Sequence, residues 1–244
     1  MEIAGKVAWV TGGAKRVGRE IAVTLAEHGC YVAINYRSSS KEALEAIEKI
    51  KRFGVKSFAT QGDVALRKDV ERMVLEIEKN VGPIDILINN ASIFKRTPWP
   101  DISEEDWNEH LNINLKGPFL CAQATGAKMV IRGAGKIINI VDWAGERPYR
   151  HYMPYCVSKA GLICLTKSLA KELAPQVQVN AIGPGPVLLP EETTKEERAK
   201  VLKSVPLQRE GSPKDIANAV LFLVEGTDFA TGSIIYVDGG RLIA

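Results

Sequence analysis

The sequence predicts an α/β fold: seven parallel strands in one doubly wound sheet, with helices on both faces. Three observations predict it. Short β-prone apolar runs alternate with longer amphipathic stretches from one end of the chain to the other. Apolar residues within the longer stretches recur at helical spacing. No Ser/Gly-rich linker, composition break or internal repeat divides the 244 residues. Strands that alternate with helices imply right-handed crossovers, and therefore a parallel sheet covered on both sides.

The elements follow in order. Residues 6–11 (Lys6, Val7, Ala8, Trp9, Val10, Thr11) form a continuous run of the kind that a parallel sheet buries on both faces. A glycine-bearing turn spans residues 11–18, and a helical pattern starts at once. Comparable runs at 31–35, 56–60, 84–89, 136–141, 177–182 and 233–237 supply the remaining strands. Before the fourth, Val70, Met73, Val74 and Ile77 fall at i, i+3, i+4 and i+7, one apolar helix face. Before the sixth, Leu162, Leu165, Leu169 and Leu173 recur every three or four residues. The segment 184–213 breaks the rhythm. It is punctuated by proline, dense in charge at 191–198, and lies between two core elements, as an active-site lid would. The expectation is one domain over 1–244, with 184–213 as a substrate loop inside it.

Composition narrows the partners. Lys and Arg number 32, Asp and Glu 29, leaving +3. That excess is too small to make nucleic acid or an anionic membrane the main partner, but it is compatible with an anionic small molecule. No stretch approaches the roughly 18 apolar residues of a membrane span, and the start lacks the apolar core of a secretory signal. Cys30, Cys121, Cys156 and Cys164 make no C-x-x-C pair, and His28, His110 and His151 make no zinc-like cluster. These features lead one to expect buried free thiols in a reducing, cytoplasmic compartment, and no metal site.

The first turn carries chemistry. A strand, then Thr11, Gly12, Gly13, Ala14, Lys15, Arg16, Val17 and Gly18, then a helix N-terminus make a phosphate cradle of the Rossmann type. Glycine permits close backbone approach, and the helix offers free N–H groups. An NAD site would carry an acid about twenty residues on, for the ribose 2′-hydroxyl. Here the second strand ends in Asn35, Tyr36, Arg37 and Ser38, with no acid before Glu42. Arg37 with the Ser38 hydroxyl could bind a 2′-phosphate, and Lys15 and Arg16 add positive charge, so NADPH is the expected cofactor. Further on, Tyr155 and Lys159 stand four residues apart, one turn along a helix whose first turn Pro154 suits. A lysine cation and a helix N-terminus would both pull a phenol from its ordinary pKa near 10 toward the working range.

In fixed order the chain carries this loop, Asp63 with Val64, Asn89 to Ser92 (Asn89, Asn90, Ala91, Ser92), Asn114, Tyr155 with Lys159, Pro184 with Gly185, and Asp238, Gly239 and Gly240. The set resembles the short-chain dehydrogenase/reductase family over essentially the whole chain. The resemblance implies that Asp63 meets the adenine, with Val64 beside it in the cofactor shell, and that Asn89, Asn90 and Ala91 lie beside the ribose. It implies that Lys159 holds the nicotinamide ribose, Asn114 holds a relay water, and Tyr155 is the catalytic acid. It also implies a homotetramer.

Two departures suggest a branch. Arg16 stands where the family usually has glycine, and Asp142 stands where it usually has a serine thirteen residues before the tyrosine. An ionised aspartate only accepts hydrogen bonds, so Asp142 suits a ring nitrogen that must be protonated rather than a ketone oxygen. With Ser92, and with Phe94 as a stacking face, the pattern is similar to the pteridine reductases. The loop at Pro184 and Gly185 lacks the hydroxyl the family commonly offers the nicotinamide carboxamide, leaving backbone groups for that task.

The leading expectation is NADPH-dependent reduction of a pterin or dihydrofolate-like ring. Asp142 and Tyr155 would deliver the proton, and Arg16, Ser92 and Phe94 would hold the substrate. The alternative enzyme is a carbonyl or 3-oxoacyl-thioester reductase. A non-catalytic nucleotide-binding sensor is the alternative of another class, opposed by the joint presence of Asn114, Tyr155 and Lys159.

Overall fold

Seven strands pair in parallel in a computed structural model that describes residues 1–189 and 193–244. They are β1 (Val7–Val10), β2 (Tyr31–Tyr36), β3 (Ser57–Gln61), β4 (Ile84–Asn89), β5 (Gly135–Ile140), β6 (Val177–Pro184) and β7 (Ile234–Val237). The order across the sheet is β3-β2-β1-β4-β5-β6-β7. The chain therefore winds outward from β1 to β3, returns to the other side of β1, and winds outward again. The reversal between β1 and β4 opens a crevice beyond the carboxyl ends of the strands, where ligands bind in open α/β sheets.

The expected strands match the observed ones to within one or two residues. Alternation explains both layers. Ala8 and Val10 of β1 face one apolar core, which they share with Ile34, Ile88 and Ile138. Val7 and Trp9 face the other, with Leu87, Ile137 and Val179. The first core is covered by α1 (Arg16–Glu27), α2 (Ser40–Lys51) and α8 (Pro213–Leu221). The second lies under α3 (Arg67–Asn80), α5 (Gly117–Arg132) and α6 (Met153–Glu172). Val70, Met73, Val74 and Ile77 are all buried on α3, as their spacing predicts. Pro154 lies in the first turn of α6. The two edge strands are the exceptions to the buried pattern: all four residues of β7 are half-buried, and Thr60 alone is buried in β3.

Two helices remain. α4 (Glu104–Leu111) runs through a wider π-helical turn, Asn112–Lys116, into α5. α7 (Lys195–Lys203) buries none of its residues and starts at a Thr194–Glu197 capping box. Its charges belong to a solvated surface helix. Residues 190–192 of the expected lid lie outside those described. Cys30, Cys121 and Cys156 are buried and Cys164 is exposed, so the expectation of buried thiols fails at Cys164. Among the described residues no helix is long and apolar enough to cross a membrane, and no cluster of metal-ligating side chains forms.

Candidate active site

The turn after β1 is built around Thr11. Its hydroxyl accepts the backbone N–H groups of Asn90 (2.9 Å) and Ala91 (3.0 Å), while Asn90 Nδ2 donates to the Thr11 and Gly12 carbonyls. This lacing joins the ends of β1 and β4 at the switch point. Two glycines are required by space. Gly12 has φ +61°, and a Cβ on Gly18 would lie 2.4 Å from the Gly12 carbonyl oxygen and from Asn90 Nδ2. Arg16, where the family usually has glycine, holds φ +50°. That left-handed backbone explains the usual glycine and aims the Arg16 side chain across to the Leu188 carbonyl beyond β6, to which it donates. Arg16 thus ties the cradle to the loop after Pro184 and Gly185. That loop is pinned by the Gly185 N–H on the Val237 carbonyl at 3.0 Å.

A cleft of about 310 Å³ opens over this turn. Gly12, Lys15, Arg16, Val17, Tyr36, Arg37, Ser38, Asn90, Ala91 and Ser92 line it. A second hollow adjoins it, lined by Asp63 and Val64 with Arg37 and Ile113. Arg37 comes within 3.7 Å of the Asp63 carboxylate, whose other oxygen accepts the Ala65 N–H. The expected cofactor residues from the first half of the chain therefore converge. Asn89 does not join them. It is buried and donates to its cross-strand partner Asn139 at 2.8 Å, and Asn139 donates in turn to Thr166. Asn89 is a core residue, because it is the last paired residue of β4 and lies inside the sheet opposite Asn139, whereas Ala91 lies beyond the strand end at the rim.

Asp142 lies two residues beyond the end of β5, and its Oδ1 accepts the Ala144 N–H (2.7 Å). The Tyr155 hydroxyl, in the first turn of α6, donates to Asp142 Oδ2 at 2.7 Å. Lys159 is buried and donates to the Ile140 carbonyl (2.8 Å), with its ammonium 5.7 Å from the centre of the Tyr155 ring. Burial pushes the Asp142 carboxyl up. Burial and then the neighbouring carboxylate push Tyr155 up as well, opposite to the lowering expected from lysine and helix alone. The sequence reading left out the burial and the carboxylate. Lys159 is brought down by burial to about 8.

Asn114 sits in the π-helical turn with its amide fully engaged. Its Oδ1 accepts from Ser92 Oγ (3.1 Å) and the Ile93 N–H (2.9 Å), and its Nδ2 donates to the Ile93 carbonyl and Ser158 Oγ. The side chain fastens the Ser92 segment to α6 and has no capacity left for a relay water.

Phe94 is half-exposed but is not a free stacking face on both sides. It lies flat on Tyr152 (4.4 Å, 6°) and edge-on to Tyr155 (4.7 Å). Tyr149 completes the cluster against Trp143. Sequence reasoning missed Tyr149 and Tyr152. The signal was available: tyrosines at 149, 152 and 155 repeat at one-turn spacing up to the catalytic candidate. The sequence reading also left Glu42 without a role, and its carboxylate pairs with Lys15 at 2.9 Å.

A glycine cradle and a buried, proton-bearing tyrosine at the same edge of a doubly wound parallel sheet define the molecule as an α/β oxidoreductase. The family described as Enoyl-(Acyl carrier protein) reductase matches residues 12–241. The chain is similar to the 3-oxoacyl-(acyl-carrier-protein) reductase FabG of Staphylococcus epidermidis. The two are 38% identical over 239 residues, covering 96% of this chain and 98% of that protein. It is 36% identical over 250 residues to the 5-keto-D-gluconate 5-reductase of Escherichia coli K12, covering 99% and 97%. The crystal structure of a gluconate 5-dehydrogenase from Burkholderia cenocepacia in complex with NADP and tartrate superposes with a TM-score of 0.93. That protein is 31% identical, and the match covers 100% of this chain and 97% of that one. The chain belongs to the short-chain dehydrogenase/reductase family and is an oxidoreductase of that type.

Proposed function

We propose that this chain is an NADPH-dependent reductase of a small carbonyl compound, in which Tyr155 delivers the proton and Asp142 holds the reacting oxygen. The observation that carries the reading is the 2.7 Å hydrogen bond from Tyr155 to a half-buried Asp142 at the carboxyl edge of the sheet. The cradle fits a pyridine dinucleotide. Gly18 leaves no room for a Cβ, the N-terminus of α1 faces the cleft with no side-chain cap, and Arg37 and Lys15 line the end where a 2′-phosphate would lie. The NADP bound to the Burkholderia relative supports the same cofactor. When bound, NADPH supplies the hydride. Lys159 would hold the ribose and stabilise the phenolate left on Tyr155 as its proton departs, and Asn114 positions Ser92 and α6.

The relatives named for oxoacyl and keto-sugar-acid reduction favour a carbonyl substrate. Asp142 is compatible with that. Burial favours its neutral form, and a neutral carboxyl has an O–H to donate where the family's serine would donate its own.

A pterin-like ring is the second reading, favoured by one specific feature. In its ionised form Asp142 accepts rather than donates, which suits a ring nitrogen that shares a proton with Tyr155. The test is kcat/KM for an acetoacetyl thioester, 5-ketogluconate and dihydrobiopterin, in wild type and Asp142→Ser. On the carbonyl reading, wild type turns over a carbonyl compound best, and the serine variant keeps activity on it within about tenfold while losing its fall at high pH. A wild type that prefers dihydrobiopterin, and loses that activity in the serine variant, establishes the second reading. Nicotinamide oxidation with any of these substrates removes the sensor reading.

A further inference from the structure

The outer end of the cleft holds an anion of the protein's own. Lys15 lies just before α1 and Glu42 in the first turn of α2, and their charges meet at 2.9 Å. Arg37, the other cation at this end, is 3.7 Å from Asp63. Lys15 and Arg37 are therefore each already opposed by a carboxylate, while Arg16 is turned to the Leu188 carbonyl. Hydrogen bonding from Lys15 holds Glu42 below the ordinary carboxylate range, so it stays ionised at neutral pH.

We propose that Glu42 is a selectivity residue for the cofactor, an internal anion that competes with the 2′-phosphate for Lys15 and so narrows the preference for NADPH over NADH. The inference rests on the dinucleotide reading of the cleft. A 2′-phosphate drawn to Lys15 brings close to two negative charges beside a carboxylate that must be displaced or tolerated. NADH places only a hydroxyl there and is indifferent to the carboxylate. Both partners are half-exposed, so water and salt moderate the competition.

The test measures dissociation constants by quenching of protein fluorescence, for NADPH and NADH separately, in wild type and in Glu42→Gln. Thermal unfolding of the variant verifies its fold. The expected result is NADPH binding tightened about three- to fivefold, the size of an exposed ion-pair effect, with NADH unchanged within twofold. Glu42→Lys should move NADPH further in the same direction, and 1 M NaCl should remove most of the difference. Weaker NADPH binding in Glu42→Gln would show that Glu42 props Lys15 toward the phosphate, and would overturn the proposal. Equal changes for both cofactors, or no change for either, would also overturn it. If wild type binds neither nucleotide, the reading of the cleft fails first and the selectivity role fails with it.

Discussion

Tyr155, Asp142 and Lys159 share one buried space, and each changes what the others can do. The phenol proton is directed at Asp142, so on the proposed reading a carbonyl oxygen would enter between them. Tyr155→Phe should lower kcat at least a hundredfold while NADPH binding stays within about twofold, because the hydroxyl acts in proton transfer rather than in holding the nucleotide. Stopped-flow binding beside steady-state turnover separates the two effects. Lys159 has a cost that can be read from pH. Its ammonium titrates near 8 in the fold against an ordinary 10.5, so the unfolded chain binds the extra proton between those values. Stability therefore rises as pH climbs from about 8 toward 10.5, and the full cost, about 3 kcal/mol, applies below 8. Lys159→Met removes that cost but leaves the Ile140 carbonyl without its donor, which offsets about 1 kcal/mol. The variant should be inactive yet about 2 kcal/mol more stable at pH 7, the gain vanishing near pH 10 and reversing to a loss of about 1 kcal/mol above pH 10.5. Urea unfolding at both ends of that range tests this, and a destabilised variant at pH 7 would mean Lys159 is not burdened by burial.

At the scale of elements, patterns local to the chain were legible and contacts through space were not. The spacing of Val70, Met73, Val74 and Ile77 located α3, and the strand–glycine–helix sequence located the cradle, because both depend on neighbours within a few residues. The strand register that hides Asn89 against Asn139 depends on a partner fifty residues away. The saturation of Asn114 draws on Ser92, Ile93 and Ser158 from two other segments. The raised phenol of Tyr155 needed the burial that only packing supplies. Gly18 shows where a local motif and a distant contact coincide. Its missing Cβ makes room for Gly12 and for Asn90 of the next strand pair. Gly18→Ala forces the turn away from β4, because the opposing atoms are backbone and a laced amide. It should destabilise by about 2 kcal/mol and weaken NADPH binding at least tenfold. Isothermal titration and urea unfolding report the two losses, and an unaffected variant would mean the turn is free to shift.

Over the whole molecule, the sheet separates function from fastening. The glycine cradle and the candidate catalytic side chains lie beyond the carboxyl ends of the strands, and the opposite edge carries a buried lysine. Lys136, the second residue of β5, is 1% exposed. It donates to the Thr227 carbonyl (2.6 Å) and the Leu223 carbonyl (3.1 Å), and pairs with Asp228 at 2.7 Å. These partners belong to the segment that leads from α8 to β7, so one side chain anchors the last crossover to the middle of the sheet. Asp228 is mostly exposed, and its carboxyl is held at about 2 chiefly by Lys136. With a folded pKa below the usual 3.8, its share of stability is present above about pH 4 and is lost as pH falls toward 2. Water screens that share, so the two carbonyls carry more of the anchor. Lys136→Met leaves both carbonyls without their donor while Asp228 keeps the Met1 amino group as its partner, which argues for a loss of about 2 kcal/mol. The same variant should keep wild-type kcat/KM well below its melting point, since the lysine lies at the edge of the sheet away from Tyr155. A variant with unchanged Tm would show that the crossover holds without its anchor, and one with altered kcat/KM would show that the two edges of the sheet are coupled.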